Sequence, residues 1–127
     1  MPQGAPISPL FSNVYMRRFI LGWKALGHER VSDAHIVNYA DDFVICCRGT
    51  AHEAARAMRR MMCRLKLTVN EDKTHVCSLP EESFEFLGYT IGRGFSPKTG
   101  RSYIGTRPSG KRVKDICCRI SEMTSRR

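Results

Sequence analysis

Residues 35–47 read HIVNYADDFVICC, and this stretch restricts the fold more than any other in the chain. Two apolar runs, Ile36-Val37 and Phe43-Val44-Ile45, stand on either side of a polar knot that contains adjacent carboxylates, Asp41 and Asp42. β-Branched and aromatic residues at that spacing predict a strand over about Ala34–Asn38, a tight turn, and a second strand over about Phe43–Cys47, with Arg48-Gly49 closing it. Asn and Asp are turn formers, so the knot reads as an ordinary hairpin tip. An ordinary tip has no need of neighbouring like charges beside an apolar Phe43. Without a cation each carboxylate opposes ionisation of the other, and apolar flanks add desolvation. A divalent cation reverses that sign, and Mg²⁺ favours a couple of carboxylates together with substrate phosphates. On chemistry alone, the turn and the metal readings stand level.

The rest of the chain alternates helical and extended patterns. A loop, PQGAPI, leads into a helix that Ser8 is placed to cap and Pro9 to open. Its body, LFSNVYMRRFILGWKALG, is apolar on more than one face, which predicts a mostly buried helix ended by Gly27. After the hairpin, TAHE (Thr50 to Glu53) is a capping box for a second helix. There Ala54, Met58, Met61, Met62 and Leu65 form a core stripe, and Arg56, Arg59, Arg60 and Arg64 a solvated face. Beyond Lys66 the period changes. LTVNEDKTHVCSL predicts a short extended piece, an Asn-Glu-Asp turn and a strand over Thr74–Leu79, and FEFLGYTI (Phe84 to Ile91) a further strand. GRGFSPKTGRSYIG is a hairpin with its tip at 96–100, and Pro108-Ser109 opens a last helix. That helix has one apolar stripe, Val113, Ile116, Cys117, Ile120 and Met123, which needs a partner surface. The expected class is α+β, an antiparallel sheet with helices packed on one face.

Composition narrows the function classes. A chain of 127 residues, 42% hydrophobic and 26% charged, has room for a modest core and is not of disordered type. No apolar run approaches the ~20 residues of a spanning helix, and MPQGAPISPL lacks the features of an export signal. The expectation is a cytoplasmic chain with no membrane partner. The cysteines fall as Cys46-Cys47, Cys63, Cys77 and Cys117-Cys118, without C-x-x-C spacing, and are expected as free thiols filling the core. Charge is unevenly spread: residues 1–92 carry 11 Lys/Arg against 10 Asp/Glu, and residues 93–127 carry 10 against 2. A basic C-terminal third fits a polyanion partner or a solvated tail, and charge alone does not choose.

Four blocks in one order carry a resemblance. PQGAPISPLFSNVYM (Pro2 to Met16), the YADD hairpin, LTVNEDKT (Leu67 to Thr74) and FEFLGYTI resemble successive blocks of reverse transcriptases. In its detailed wording the chain looks closest to bacterial group II intron reverse transcriptase/maturases, with Asn38 where Arg is usual. The resemblance implies a palm-like fold, residues 1–107 being the C-terminal part of a palm and 108–127 the start of a thumb helix. It implies RNA-directed DNA polymerisation with dNTP substrates, an RNA template, a DNA primer and intron RNA as partners. Mg²⁺, or Mn²⁺ in its place, would serve as cofactor. By the same resemblance Asp41 is the main metal ligand and Asp42 its weaker neighbour. Gln3 and Gly4 lie beside nucleotide and template, Tyr39 and Ala40 by the primer terminus, and Lys73 near the triphosphate. Phe86, Leu87, Gly88 and Tyr89 hold the primer's 3′ end. Arg107, Lys111, Arg112 and Lys114 offer a basic surface for nucleic acid.

The chain also departs from the family. Metals about 4 Å apart need carboxylates from more than one strand, while neighbours on a strand point to opposite faces. The family's further catalytic Asp, on an earlier strand, and its fingers have no counterpart here, so the chain is expected to be an inactive palm fragment that self-associates through exposed core. Other readings are an RNA-binding module, a non-catalytic remnant and a nucleotide cyclase domain. The RNA-recognition motif pattern is missing, and the Pro-Gln-Gly and primer-holding blocks favour a polymerase over a cyclase.

Overall fold

In the computed structural model, which describes residues 6–125, strands β1 (Ala34–Tyr39) and β2 (Asp42–Cys47) pair antiparallel, with Ala34 opposite Cys47 and Tyr39 opposite Asp42. Only Ala40 and Asp41 are left to make the turn. Ala34, Ile36 and Asn38 share one face with Phe43, Ile45 and Cys47, and the helices pack there. The opposite, bare face carries His35, Val37, Tyr39, Asp42 and Cys46, all exposed, with Val44 half-buried.

Helix α1 (Ser8–Ala25) supplies Met16, Phe19 and Trp23 to that core, and α3 (Ala51–Arg64) supplies Ala54, Ala57, Met58, Met61 and Met62. Phe19 and Trp23 are fully buried, worth roughly 1.5–3 kcal/mol each in surface removed from water. Their rings lie 5.9 Å apart, and Phe19 reaches Phe43 of β2 at 5.4 Å. The indole Nε1 donates to the carbonyl of Ala34 at 2.8 Å, which ties the middle of the core to the start of the hairpin. A side chain at Gly22 would come within 3.0 Å of Met61 Cε, so the small residue allows that methionine to close on α1. The Met stripe of α3 lies where its spacing predicts. The breadth of α1 does not: Leu10, Phe11, Val14 and Leu21 are exposed, so one stripe rather than the whole helix is buried. Ser8 is the first helical residue, with Ile7 in the capping position. Gly27 follows α1 and leads into a single turn, α2 (His28–Val31), that the sequence pattern did not announce.

The chain divides into two units, Met1–Val76 and Cys77–Arg127. The second holds a three-stranded antiparallel sheet, β3 (Phe84–Phe86), β4 (Tyr89–Phe95) and β5 (Ser102–Pro108), followed by α4 (Gly110–Thr124). The class is α+β, as expected, with two sheets in place of one. FEFLGYTI is not one strand: Leu87 (φ +54°) and Gly88 (φ +81°) turn the chain, and Phe86 pairs with Tyr89. Two successive positive φ values match a type I′ hairpin, which an apolar Leu-Gly pair conceals. Thr74–Leu79 is not a strand either. Alternating side chains make a strand only where a partner edge supplies hydrogen bonds, and no described strand pairs with this segment.

All the buried apolar side chains among the described residues lie between Met16 and Met62. On α4 the stripe Val113, Ile116, Ile120 and Met123 is exposed, in keeping with its need for a partner surface. The six cysteines are free thiols, but none is buried: Cys47 and Cys77 are half-buried and the rest exposed. Partial burial, then the neighbouring Cys46, pushes the Cys47 thiol up; burial, then Glu82, does the same at Cys77. The expectation of core-filling thiols is therefore corrected. Among the described residues no helix is long and apolar enough to cross a membrane.

Trp23→Phe keeps the ring contacts but leaves the Ala34 carbonyl buried without its donor. The expected loss is about 2 kcal/mol, read as a lower urea midpoint by circular dichroism. An unchanged midpoint would show that the indole N–H does not hold the hairpin.

Candidate functional site

The site begins with the two-residue turn. Ala40 carries φ +50°, a conformation that L side chains rarely adopt and that costs of order 1–3 kcal/mol unless its surroundings enforce it. The enforcing groups are visible. Asn38 Nδ2 donates to the Ala40 carbonyl at 2.9 Å and to the Asp42 carbonyl at 3.3 Å, bracing the turn from inside. Ser12 on α1 donates its hydroxyl to the Asp41 carboxylate, linking the tip to the helix. Asp42 instead stands on the bare face, opposite Tyr39. The two carboxylates therefore diverge, as neighbours on a strand must. Both are exposed, so the apolar flanks of the hairpin bury its helix-facing side and not its charges.

Asn38 and Ser12 were missed as site residues in the sequence. Asn38 stood out only as a departure from a resemblance. Ser12 gave no signal, because it lies 29 positions before Asp41 on another element.

Lys73 lies on a short 3₁₀ turn, Glu71–Lys73, capped by Asn70, whose Oδ1 accepts from the Lys73 amide at 3.3 Å. Arg59 of α3 grips Glu71 with two hydrogen bonds, Nε at 2.9 Å and Nη2 at 2.8 Å. Glu71 is thus committed to a surface ion pair, and Arg59 stays exposed on the solvated face assigned to it. The Lys73 side chain is exposed, and among the described residues no hydrogen bond or ion pair joins it to Asp41 or Asp42.

In the second unit, Leu87 and Gly88 form the β3–β4 turn, flanked by Phe86, half-buried, and Tyr89, exposed. Arg112 lies across Gly88: an added Cβ there would meet its Nε at 2.6 Å and its Cγ at 3.1 Å and push that side chain aside, while the positive φ favours glycine in its own right. The amide of Ser109 donates to the Gly88 carbonyl at 2.9 Å, and the Ser109 side chain caps α4 by accepting from the Arg112 amide. Arg107, Lys111, Arg112 and Lys114 are exposed, and among the described residues none pairs with a carboxylate. Gln3 and Gly4 lie outside the described residues.

Tyr39, Ala40, Asp41 and Asp42 are thus brought together on one tip. The described residues contain no cluster of three or more metal-ligating side chains. A surface depression lined by Asp33, His35, Cys46, Cys47 and Arg48 lies at the base of the hairpin, the end opposite the carboxylates. There Asp33 accepts from His35 Nε2 at 3.0 Å and faces Arg48 Nε at 3.6 Å.

The family model for reverse transcriptase (RNA-dependent DNA polymerase) matches residues 1–91, well over half of the sequence, and the chain belongs to that family. No curated protein matches it. Reverse-transcriptase-type nucleotidyl transfer is the chemistry of the family, whose members generally use divalent metals such as Mg²⁺ with dNTPs and bind an RNA template and primer.

Two outcomes test this geometry. Ala40→Gly removes the positive-φ penalty and is expected to stabilise the chain by about 0.5–1 kcal/mol in urea unfolding; a loss of stability would contradict the enforced turn. For the Arg59–Glu71 pair, the hydrogen bonds from Arg59 hold the Glu71 carboxyl below its usual 4.5. The pair therefore supports the fold above 4.5, and that support fades as pH falls through the lowered value. Wild type should exceed Glu71→Gln in melting temperature at neutral pH, and the gap should close on acidification. A constant gap would mean that charge is not the source.

Proposed function

We propose that this chain is the metal-binding hairpin and primer-holding segment of a group II intron-type RNA-directed DNA polymerase. The observation that carries the reading is Asp41: a carboxylate on an enforced two-residue turn, held from the helix side by Ser12, with Asp42 diverging. Hard oxygen donors of this kind suit Mg²⁺ or Mn²⁺, which bind through one or two carboxylates and substrate phosphates. Asp41 would be the principal ligand and Asp42 the weaker one. Held by Asp41, a divalent cation would supply Lewis-acid activation of a primer 3′-hydroxyl and offset charge on pyrophosphate. Because Asp41 and Asp42 diverge, they do not bridge two metals by themselves. A further carboxylate must come from outside the described residues, and without one the isolated chain is inactive. Among the described residues the hairpin has two unpaired strand edges, which could receive the element that carries it.

The remaining residues take roles consistent with their placement. Tyr39, exposed beside Asp42, and Ala40 form the floor under a primer terminus, and Lys73, without a carboxylate partner among the described residues, is placed to neutralise triphosphate. The Phe86–Tyr89 turn holds the primer strand, and Gln3 and Gly4 keep the nucleotide and template role that the resemblance gives them. Intron RNA is the expected long-range partner. The exposed apolar faces of α1 and α4 support self-association of the isolated chain.

Grafting residues 34–47 in place of the matching hairpin of an active reverse transcriptase tests the reading. The graft should extend an RNA-templated primer, and Asp41→Asn within it should slow extension ~10³-fold or more. Extension that survives the substitution would remove Asp41 from the chemistry.

A second reading, RNA binding without polymerisation, is favoured by Arg107, Lys111, Arg112 and Lys114, four cations with no carboxylate partner among the described residues. If they meet phosphates of single-stranded RNA, log affinity should fall with log salt at a slope near −3, and Lys111→Ala/Lys114→Ala should flatten it by about 1.5. Salt-insensitive binding would exclude this surface.

A further inference from the structure

Ser12 lies just over one turn into α1, the helix anchored by the fully buried Phe19 and Trp23. Its Oγ donates to Oδ1 of Asp41, the exposed residue at the far end of a two-residue turn. A carboxylate in that position is otherwise free to rotate, and a rotating ligand pays an ordering cost each time it captures an ion. The hydroxyl removes that freedom by occupying one oxygen, and it leaves Oδ2 open. Asn38 does the same for the backbone beneath, through its bonds to the Ala40 and Asp42 carbonyls.

We infer that Ser12 is a positioning residue for divalent-cation binding: it fixes the Asp41 carboxylate from α1 so that Oδ2 is presented to the metal. The inference rests on the reading of Asp41 as a metal ligand. It goes beyond that reading in placing a determinant of affinity on a different element, in a residue that touches neither metal nor substrate. Outer partners that orient a metal ligand typically contribute 10–100-fold in affinity. A helix-to-hairpin pin with no such role would affect folding alone.

The test is a Mn²⁺ titration of the 127-residue chain, read by paramagnetic broadening of assigned backbone amides, with thermal unfolding of each variant recorded without metal. Wild type should broaden first at residues 39–43, and Asp41→Asn should lose that effect. Ser12→Ala should raise the Mn²⁺ concentration for half-effect about tenfold. As a pair matched in volume, Ser12→Thr should stay near wild type while Ser12→Val follows Ser12→Ala, so that a packing defect does not imitate the loss of a hydroxyl. Equal Mn²⁺ response in Ser12→Thr and Ser12→Val, with wild-type broadening still at 39–43, would overturn the inference and leave Asp41 as a ligand. Absence of broadening at 39–43 in wild type would overturn the metal reading and this inference with it.

Discussion

The contact of Phe19 with Phe43, backed by Trp23, is what the hairpin tip depends on. It holds α1 on one face of β1–β2 while α3 closes the same face with its methionines, and the indole bond to Ala34 fixes where the first strand begins. Once β1 and β2 are in register from Ala34–Cys47 to Tyr39–Asp42, the turn has two residues and no more. A one-residue slip would send Phe43 and Ile45 to solvent, so the apolar pattern itself locks the register. Asp41 is left at the tip within reach of Ser12, and Asp42 on the bare face. The core thus acts on the site by removing alternatives.

The second unit follows a different economy of space. It buries little apolar surface among its described residues, yet its first turn is closely defined. Gly88 accepts a hydrogen bond from Ser109 and lies under Arg112, so the β3–β4 turn, the start of α4 and a guanidinium are held together by one glycine. Any side chain there would displace Arg112 and strain the backbone at φ +81°. A backbone link of this kind orients a cation without an apolar core beneath it.

Much of this was legible in the sequence, for definite reasons. The alternation around NYADDF gave the hairpin to within a residue at each strand, because one face is buried and period two is unambiguous there. The methionine spacing gave α3, and Thr50 gave its start, although the Thr50 hydroxyl donates to the Glu53 carboxylate at 2.9 Å and does not cap the backbone. Errors arose where tertiary partners decide. The excess apolar residues of α1 are exposed, since composition reports what could be buried and not what is covered. Leu87 at positive φ breaks a run that reads as continuous strand, and four of the six cysteines, small and apolar by type, lie exposed. At the site, Asp41, Asp42, Tyr39 and Ala40 were recognisable as a group because they are contiguous. Ser12 and Arg59 were not, because their partners lie on other elements and no local pattern records a contact across such a distance.

The central claim is that the β1–β2 turn meets the reacting end of a primer. A DNA primer annealed to RNA and bearing a photoreactive group on its 3′-terminal nucleotide tests it directly, with the cross-linked peptide identified by mass spectrometry. The account predicts adducts within residues 39–42, competed away by unmodified primer–template. Adducts confined to the basic residues of β5 and α4, with none on the turn, would contradict it and leave a chain that binds nucleic acid without presenting its carboxylates to the primer.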